Sequence, residues 1–185
     1  KILKMMSELY SNWDNETMEK YINIFQLDIG KKVKELSTGM RVKLDLLMAM
    51  SHNAEIYILD EPTSGLDPVI RKELLEILEH LAKDEEKTVI ISSHITSDLE
   101  KIADRIIYIV SGKIELDDDI ASIRSEYVKV NVTDKNATCD LKGCLKIGDN
   151  IITTREIYEN IIDTRNGYYV EPASLEDVLF YLGGY

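Results

Sequence analysis

The chain has 185 residues, 44% of them hydrophobic, with 34 acidic and 22 basic side chains and a formal net charge of -12. That content supports the packed core of one ordinary domain, or of one domain with a small appendage, and argues against global disorder. The acidity argues against nucleic acid as a partner and against broad contact with an anionic lipid surface, both of which need concentrated Lys and Arg.

In chain order, residues 1 to about 27 predict two helices, broken at Ser11-Asn12-Trp13-Asp14-Asn15, with Gln26 inside the second. Gly30 and the run Lys31-Lys32-Val33-Lys34 form a connection, and a third helix is expected from Gly39 to about Ser51. The period then changes. Residues 55–60 read as a short buried strand that ends in two acids, followed by the loop Glu61-Pro62-Thr63-Ser64-Gly65-Leu66-Asp67-Pro68. A helix over 69–82, a strand over 88–92, a helix over 97–103 and a strand over 105–110 come next, and Ser111-Gly112-Lys113 turns that strand back into 114–116. Strands alternating with helices of this length imply crossover units and a parallel sheet.

After Asp117-Asp118-Asp119, which read as a solvated turn, the texture shifts. Residues 127–132 alternate like a half-exposed strand, and 145–147, 151–154 and 168–170 are its candidate partners. A last helix opens at Ser174, where Asp177 completes a capping box. Cys139 and Cys144 have no His beside them to complete a metal set and read as reduced thiols. Tyr168, Tyr169, Tyr181 and Tyr185 are expected to pack in a core and its rim. No stretch approaches the roughly 20 apolar residues of a bilayer span, and the first residues carry no secretory pattern.

The residues that suggest chemistry fall in three places. Ile56-Tyr57-Ile58-Leu59-Asp60-Glu61 sets two carboxylates at the carboxyl end of a strand, where open α/β sheets bind ligands. An acid there holds Mg²⁺ in nucleotide hydrolysis, and a second orients and deprotonates the attacking water. A strand that simply leaves the core into a polar loop has the same pattern. Leu36-Ser37-Thr38-Gly39-Met40 opens a helix 21 residues before Asp60, counted from Gly39. A small-residue turn there offers free N–H groups, a hydroxyl and the positive dipole end to an anion, or is an ordinary Ser cap. Ser92-Ser93-His94 ends the next strand, with His94 34 residues after Asp60, at the same sheet edge if the strands pair in parallel.

Taken together, these segments resemble the ABC ATPases. Leu-Ser-Thr-Gly-Met is similar to the family's signature, and Ile-Leu-Asp-Glu-Pro-Thr-Ser-Gly-Leu-Asp-Pro to its Walker B strand and D-loop. Ser-Ser-His resembles its switch segment, and the strands from Asp104 to Ile114 resemble the pair that follows. The resemblance covers residues 1 to about 116 and implies a P-loop NTPase-like α/β fold. Residues 1–54 would be a helical subdomain, 55–121 part of the ATPase core with its parallel sheet, and 122–185 a small α+β appendage.

The resemblance further implies ATP and Mg²⁺ as cofactors. It assigns Asp60 to the metal, Glu61 to the attacking water and His94 to the γ-phosphate. Ser37, Thr38 and Gly39 would touch ATP held by a second ATPase subunit, and Asp67 would face across that dimer. A transmembrane permease would be the other partner, which puts the chain in the cytoplasm on the inner face of the cell membrane. Thr38 and Met40 depart from the usual signature residues, a relaxation similar to that of bacterial antibiotic and lantibiotic exporters. Non-transport ABC ATPases share these motifs, and an interaction module is a third reading. No Gly-x-x-x-x-Gly-Lys-Ser/Thr occurs in the 185 residues and no Q-loop glutamine is in place. The expectation is therefore a C-terminal part of such a subunit, lacking roughly 80–100 residues on typical domain sizes, and inactive alone.

Overall fold

The computed structural model describes residues 1–83, 87–132, 143–148, 150–161 and 168–183. Cys139 and Tyr185, singled out from the sequence, lie outside the described residues. Contacts divide the chain into two units, Lys1–His94 and Ile95–Tyr185.

The first unit begins with helices α1 (Ile2–Leu9) and α2 (Asn15–Phe25), followed by a single 3-10 turn at Val33–Glu35. Asp14 caps α2 by accepting from the Glu16 amide. Gln26 is not inside that helix. It ends it, in the left-handed region at φ 51. Helix α3 (Thr38–Ser51) packs on α2, burying Leu44, Leu46, Leu47 and Met50, and α2 buries Tyr21 and Phe25, whose rings meet at a tilt. Strand β1 (Ile56–Asp60), helix α4 (Pro68–Lys83) and strand β2 (Thr88–Ser92) then form one crossover unit. β1 and β2 pair in parallel, from Ile56 opposite Thr88 to Asp60 opposite Ser92, as the alternation implied. Leu74, Leu75, Leu78 and Leu81 recur at helical spacing and give α4 its buried stripe, and α4 packs on β2.

In the second unit, α5 (Thr96–Ile102) leads to the antiparallel hairpin of β3 (Arg105–Val110) and β4 (Lys113–Asp119). Gly112 sits at φ 77 in its turn, a conformation that glycine adopts without steric cost. The three acids 117–119 are not a solvated turn. They extend β4, because Arg105 on the facing strand pairs with Asp117 at 2.7 Å and with Asp119 at 3.9 Å.

Helix α6 (Ile120–Glu126) follows, and the remaining strands form an antiparallel sheet in the order β6-β7-β5-β8. These are β5 (Tyr127–Val132), β6 (Cys144–Ile147), β7 (Asn150–Thr154) and β8 (Tyr168–Pro172); of the three expected partners of β5, β7 and β8 flank it, whereas β6 pairs with β7 at the sheet's edge, since a strand has only two sides to offer. β5 is more enclosed than its alternation suggested. Val128 and Val130 pack with Ile151 and the half-buried Tyr158 of α7 (Arg155–Ile161) on one face. Tyr127 packs on the other with Ile152, Ile123 of α6, and Leu175 and Val178 of α8 (Leu175–Gly183). The polar members of β5 have partners that admit this burial: Lys129 pairs with Asp177 at 3.1 Å, and Asn131 donates to Glu171. The capping box at the start of α8 is formed, with Ser174 and Asp177 exchanging bonds in both directions.

Candidate functional site

β1 delivers Asp60 to the carboxyl edge of the β1–β2 pair, and Glu61 follows it immediately. Glu61 takes φ 47, a conformation that a non-glycine residue holds only when its surroundings fix it. What fixes it is the end of β2. The Glu61 amide donates to the Ser92 carbonyl at 3.1 Å and to the Ser92 hydroxyl at 3.0 Å. The same hydroxyl donates to Asp60 Oδ1 at 2.5 Å.

Two residues past β2, His94 swings back to this edge. Its Nδ1 lies 2.7 Å from Glu61 Oε2. A carboxylate only accepts, so the ring nitrogen is the donor. The His94 side chain is 68% exposed and that of Glu61 36%, so both groups are within reach of a ligand. The structure thus brings together Asp60, Glu61 and His94, three residues from two strand ends, and adds Ser92 between them.

The loop after Glu61 turns sharply. Ser64 donates to the Glu61 carbonyl, Pro62 and Thr63 are buried, and Gly65 sits at φ 69. Asp67 ends the loop as the cap of α4, its Oδ1 accepting from Val69 at 3.1 Å and Ile70 at 3.2 Å. Ser37 caps α3, accepting from the Met40 amide at 3.3 Å, and Thr38 is the helix's first residue. Gly39 lies flat against α4. A Cβ built there would stand 3.0 Å from Ile70 Cγ2, so the missing side chain allows the two helix starts to approach. Ser37, Thr38 and Gly39 are therefore placed on the first turn of α3, beside the Asp67 cap rather than on the strand ends that carry Asp60 and Glu61.

As a metal site, the edge offers hard oxygens. Among the described residues no cluster of three or more His, Cys, Asp or Glu side chains is arranged to hold an ion. A lone Asp60 carboxylate beside a hydroxyl suits Mg²⁺, which keeps several waters and binds through one or two carboxylates plus substrate phosphates. The donor set fits that ion.

Ser92 was not singled out from the sequence beyond its place in Ser-Ser-His. Its signal is the register, which puts it opposite Asp60, and register is visible only once the strands pair.

The family described as "AAA domain, putative AbiEii toxin, Type IV TA system" matches residues 17–97. The lantibiotic transport ATP-binding protein SrtF of Streptococcus pyogenes is 45% identical over 87 residues, covering 47% of this chain and 38% of that protein. The bacitracin transport ATP-binding protein BcrA of Bacillus licheniformis is 36% identical over 114 residues, covering 60% of this chain and 37% of that protein. The chain thus spans about two-fifths of the length of these curated relatives. Among solved structures, a dimeric ATP-binding cassette in a post-hydrolysis state, bound to ADP and Pi, matches with a TM-score of 0.51 and 23% identity. That match covers 57% of this chain and 46% of the other, and at such identity the likeness is one of fold. No described helix is long and apolar enough to cross a membrane. With the ordered motifs, the parallel strand pair and these relatives in agreement, the chain has the P-loop NTPase fold of an ABC cassette, and the relatives it is similar to are ABC-transporter ATP-binding proteins.

Proposed function

We propose that these residues serve an ATP-hydrolysing subunit of an ABC exporter, which closes in pairs around ATP and couples that closure to a separate membrane permease. The observation that supports this most directly is the Glu61–His94 contact beside Asp60 at the carboxyl edge of two parallel strands. Glu61 takes the proton of the water that attacks the γ-phosphorus, and His94 steadies the carboxylate and faces the γ-phosphate. Asp60 would hold Mg²⁺, which supplies positive charge against the phosphate oxygens when bound. Ser37, Thr38 and Gly39 present a capped helix start to ATP on the partner subunit, and Asp67 faces the same junction.

On this reading residues 1–54 are the helical subdomain, 55–121 the hydrolytic core and 122–185 an accessory region. The subunit works in the cytoplasm, on the inner face of the cell membrane. The transport of bacitracin and of a lantibiotic by the relatives' named systems favours export over import. Glu61→Gln in the whole protein tests the reading. ATP turnover is expected to fall at least about 100-fold, the scale of a lost general base, while Mg-ATP still binds. Unchanged turnover would overturn Glu61 as the base.

A further inference from the structure

Ser92 is the last residue of β2 and stands in register with Asp60. Partner residues on paired strands project to the same face of the sheet, so hydroxyl and carboxylate meet there without distortion. A hydroxyl has one proton to donate and two lone pairs to accept with. Here both capacities are used at once: the proton on Asp60 Oδ1, and a lone pair for the Glu61 amide. The Ser92 carbonyl would hold that amide by itself. What the hydroxyl adds is a single group that ties the Asp60 side chain to the left-handed backbone of Glu61. The direction in which Glu61 projects, toward His94, depends on that backbone conformation.

We propose that Ser92 is a positioning residue of the hydrolytic centre, whose hydroxyl fixes the Asp60 carboxylate and the Glu61 backbone together so that Glu61 is aimed before substrate arrives. This rests on the reading of Glu61 as the base. Ser92 touches neither nucleotide nor water in the step; it acts through its two neighbours. Because the bond to Asp60 is exposed to solvent here, its loss should weaken catalysis without abolishing it.

The test compares Ser92→Val with Ser92→Thr in the whole protein. Both replacements are β-branched and suit a strand end, and they differ only in the hydroxyl. In Ser92→Val, kcat for ATP is expected to fall about tenfold with little change in KM, the scale of a hydrogen bond to a charged group discounted for exposure. Ser92→Thr should restore most of that loss, and the two variants should melt alike. A second readout needs no nucleotide: the Glu61 amide should exchange its hydrogen faster in Ser92→Val than in Ser92→Thr, followed by NMR. Equal turnover in the two variants, or equal Glu61 exchange, overturns the proposal. If Glu61→Gln leaves turnover intact, the base assignment is what fails, and the exchange comparison still decides whether Ser92 holds the Glu61 backbone.

Discussion

In the β1–β2 pair, Ile56, Ile58 and Ile90 are 59%, 77% and 52% exposed, whereas Val128, Val130 and Ile152 in the four-stranded sheet are fully buried. Both regions are rich in β-branched residues; they differ in what covers them. α4 packs on the first pair and leaves one apolar face bare, while α6 and α8 lie over one face of the second sheet and α7 over the other. Among its described residues, the unit with the finished core holds no group of three or more His, Cys, Asp or Glu side chains that could hold a metal ion. The unit with the bare face carries the carboxylates, the imidazole and Glu61 in its left-handed conformation.

Truncating one isoleucine in each sheet tests this contrast with the largest expected effect. Ile152→Ala removes buried methylenes and leaves a cavity between strand and helix, so it should cost about 3 kcal/mol in urea unfolding. Ile58→Ala removes side chain already in water and should stay within about 0.5 kcal/mol. A cost at Ile58 matching that at Ile152 would mean that the bare face is covered in solution, and the contrast would break.

The ion pairs differ in the same direction, with a smaller effect. Lys129 and Asp177 are 25% and 15% exposed, Lys43 and Glu73 10% and 45%. Burial pushes the Asp177 carboxyl up, but hydrogen bonds from Ser174 and Lys129, with the Lys129 charge, outweigh it and hold the group below its ordinary value. A depressed folded value means stability that is present above the unfolded carboxylate value, near about pH 4, and lost as pH falls through the folded one. Lys129→Met, which leaves Asp177 without its cation, is therefore expected to cost about 1.5 kcal/mol at neutral pH, less than a fully buried pair would lose. The difference from wild type should shrink as pH falls from about 4 through the depressed wild-type value, below which Asp177 is neutral in both. Lys43→Met returns Glu73 to water and should cost less than about 1 kcal/mol. Denaturation across pH compares the two.

The residues that meet at the strand ends and most of the first unit's elements were legible because their signals are local: an apolar run ended by acids, a Ser cap before a helix, a strand closed by a His. The strands Thr88–Ser92 and Tyr127–Val132 agree with their expected bounds for the same reason. What escaped was set by distant partners. Asp117 to Asp119 look like a turn until Arg105 arrives from the facing strand. Lys129 and Asn131 look like an exposed face until Asp177 and Glu171 pair with them. α6 and α7 are seven residues each, too short for a helical period to stand out, and Ile123 is fixed by burial in a core assembled from four other elements. Ser92 belongs with these, since a register is needed to bring it to Asp60.

The smallest effects concern two serines in the same local role. Ser174 caps α8 within a reciprocal box, its hydroxyl donating to Asp177 at 2.7 Å and accepting from the Asp177 amide at 3.1 Å. Ser37 caps α3 with one longer bond, 3.3 Å from the Met40 amide. Ser174→Ala should therefore cost about 1 kcal/mol of stability and Ser37→Ala about half of that. The order reverses for function. If the α3 start meets a phosphate, its hydroxyl and free amides are worth more to the closed, nucleotide-bound pair than to the fold. Ser37→Ala should then lower ATP turnover several-fold while barely moving the unfolding midpoint, and Ser174→Ala should move the midpoint more than the turnover. Parallel turnover and unfolding measurements on the two variants decide it: proportional losses in both would reduce Ser37 to a helix cap.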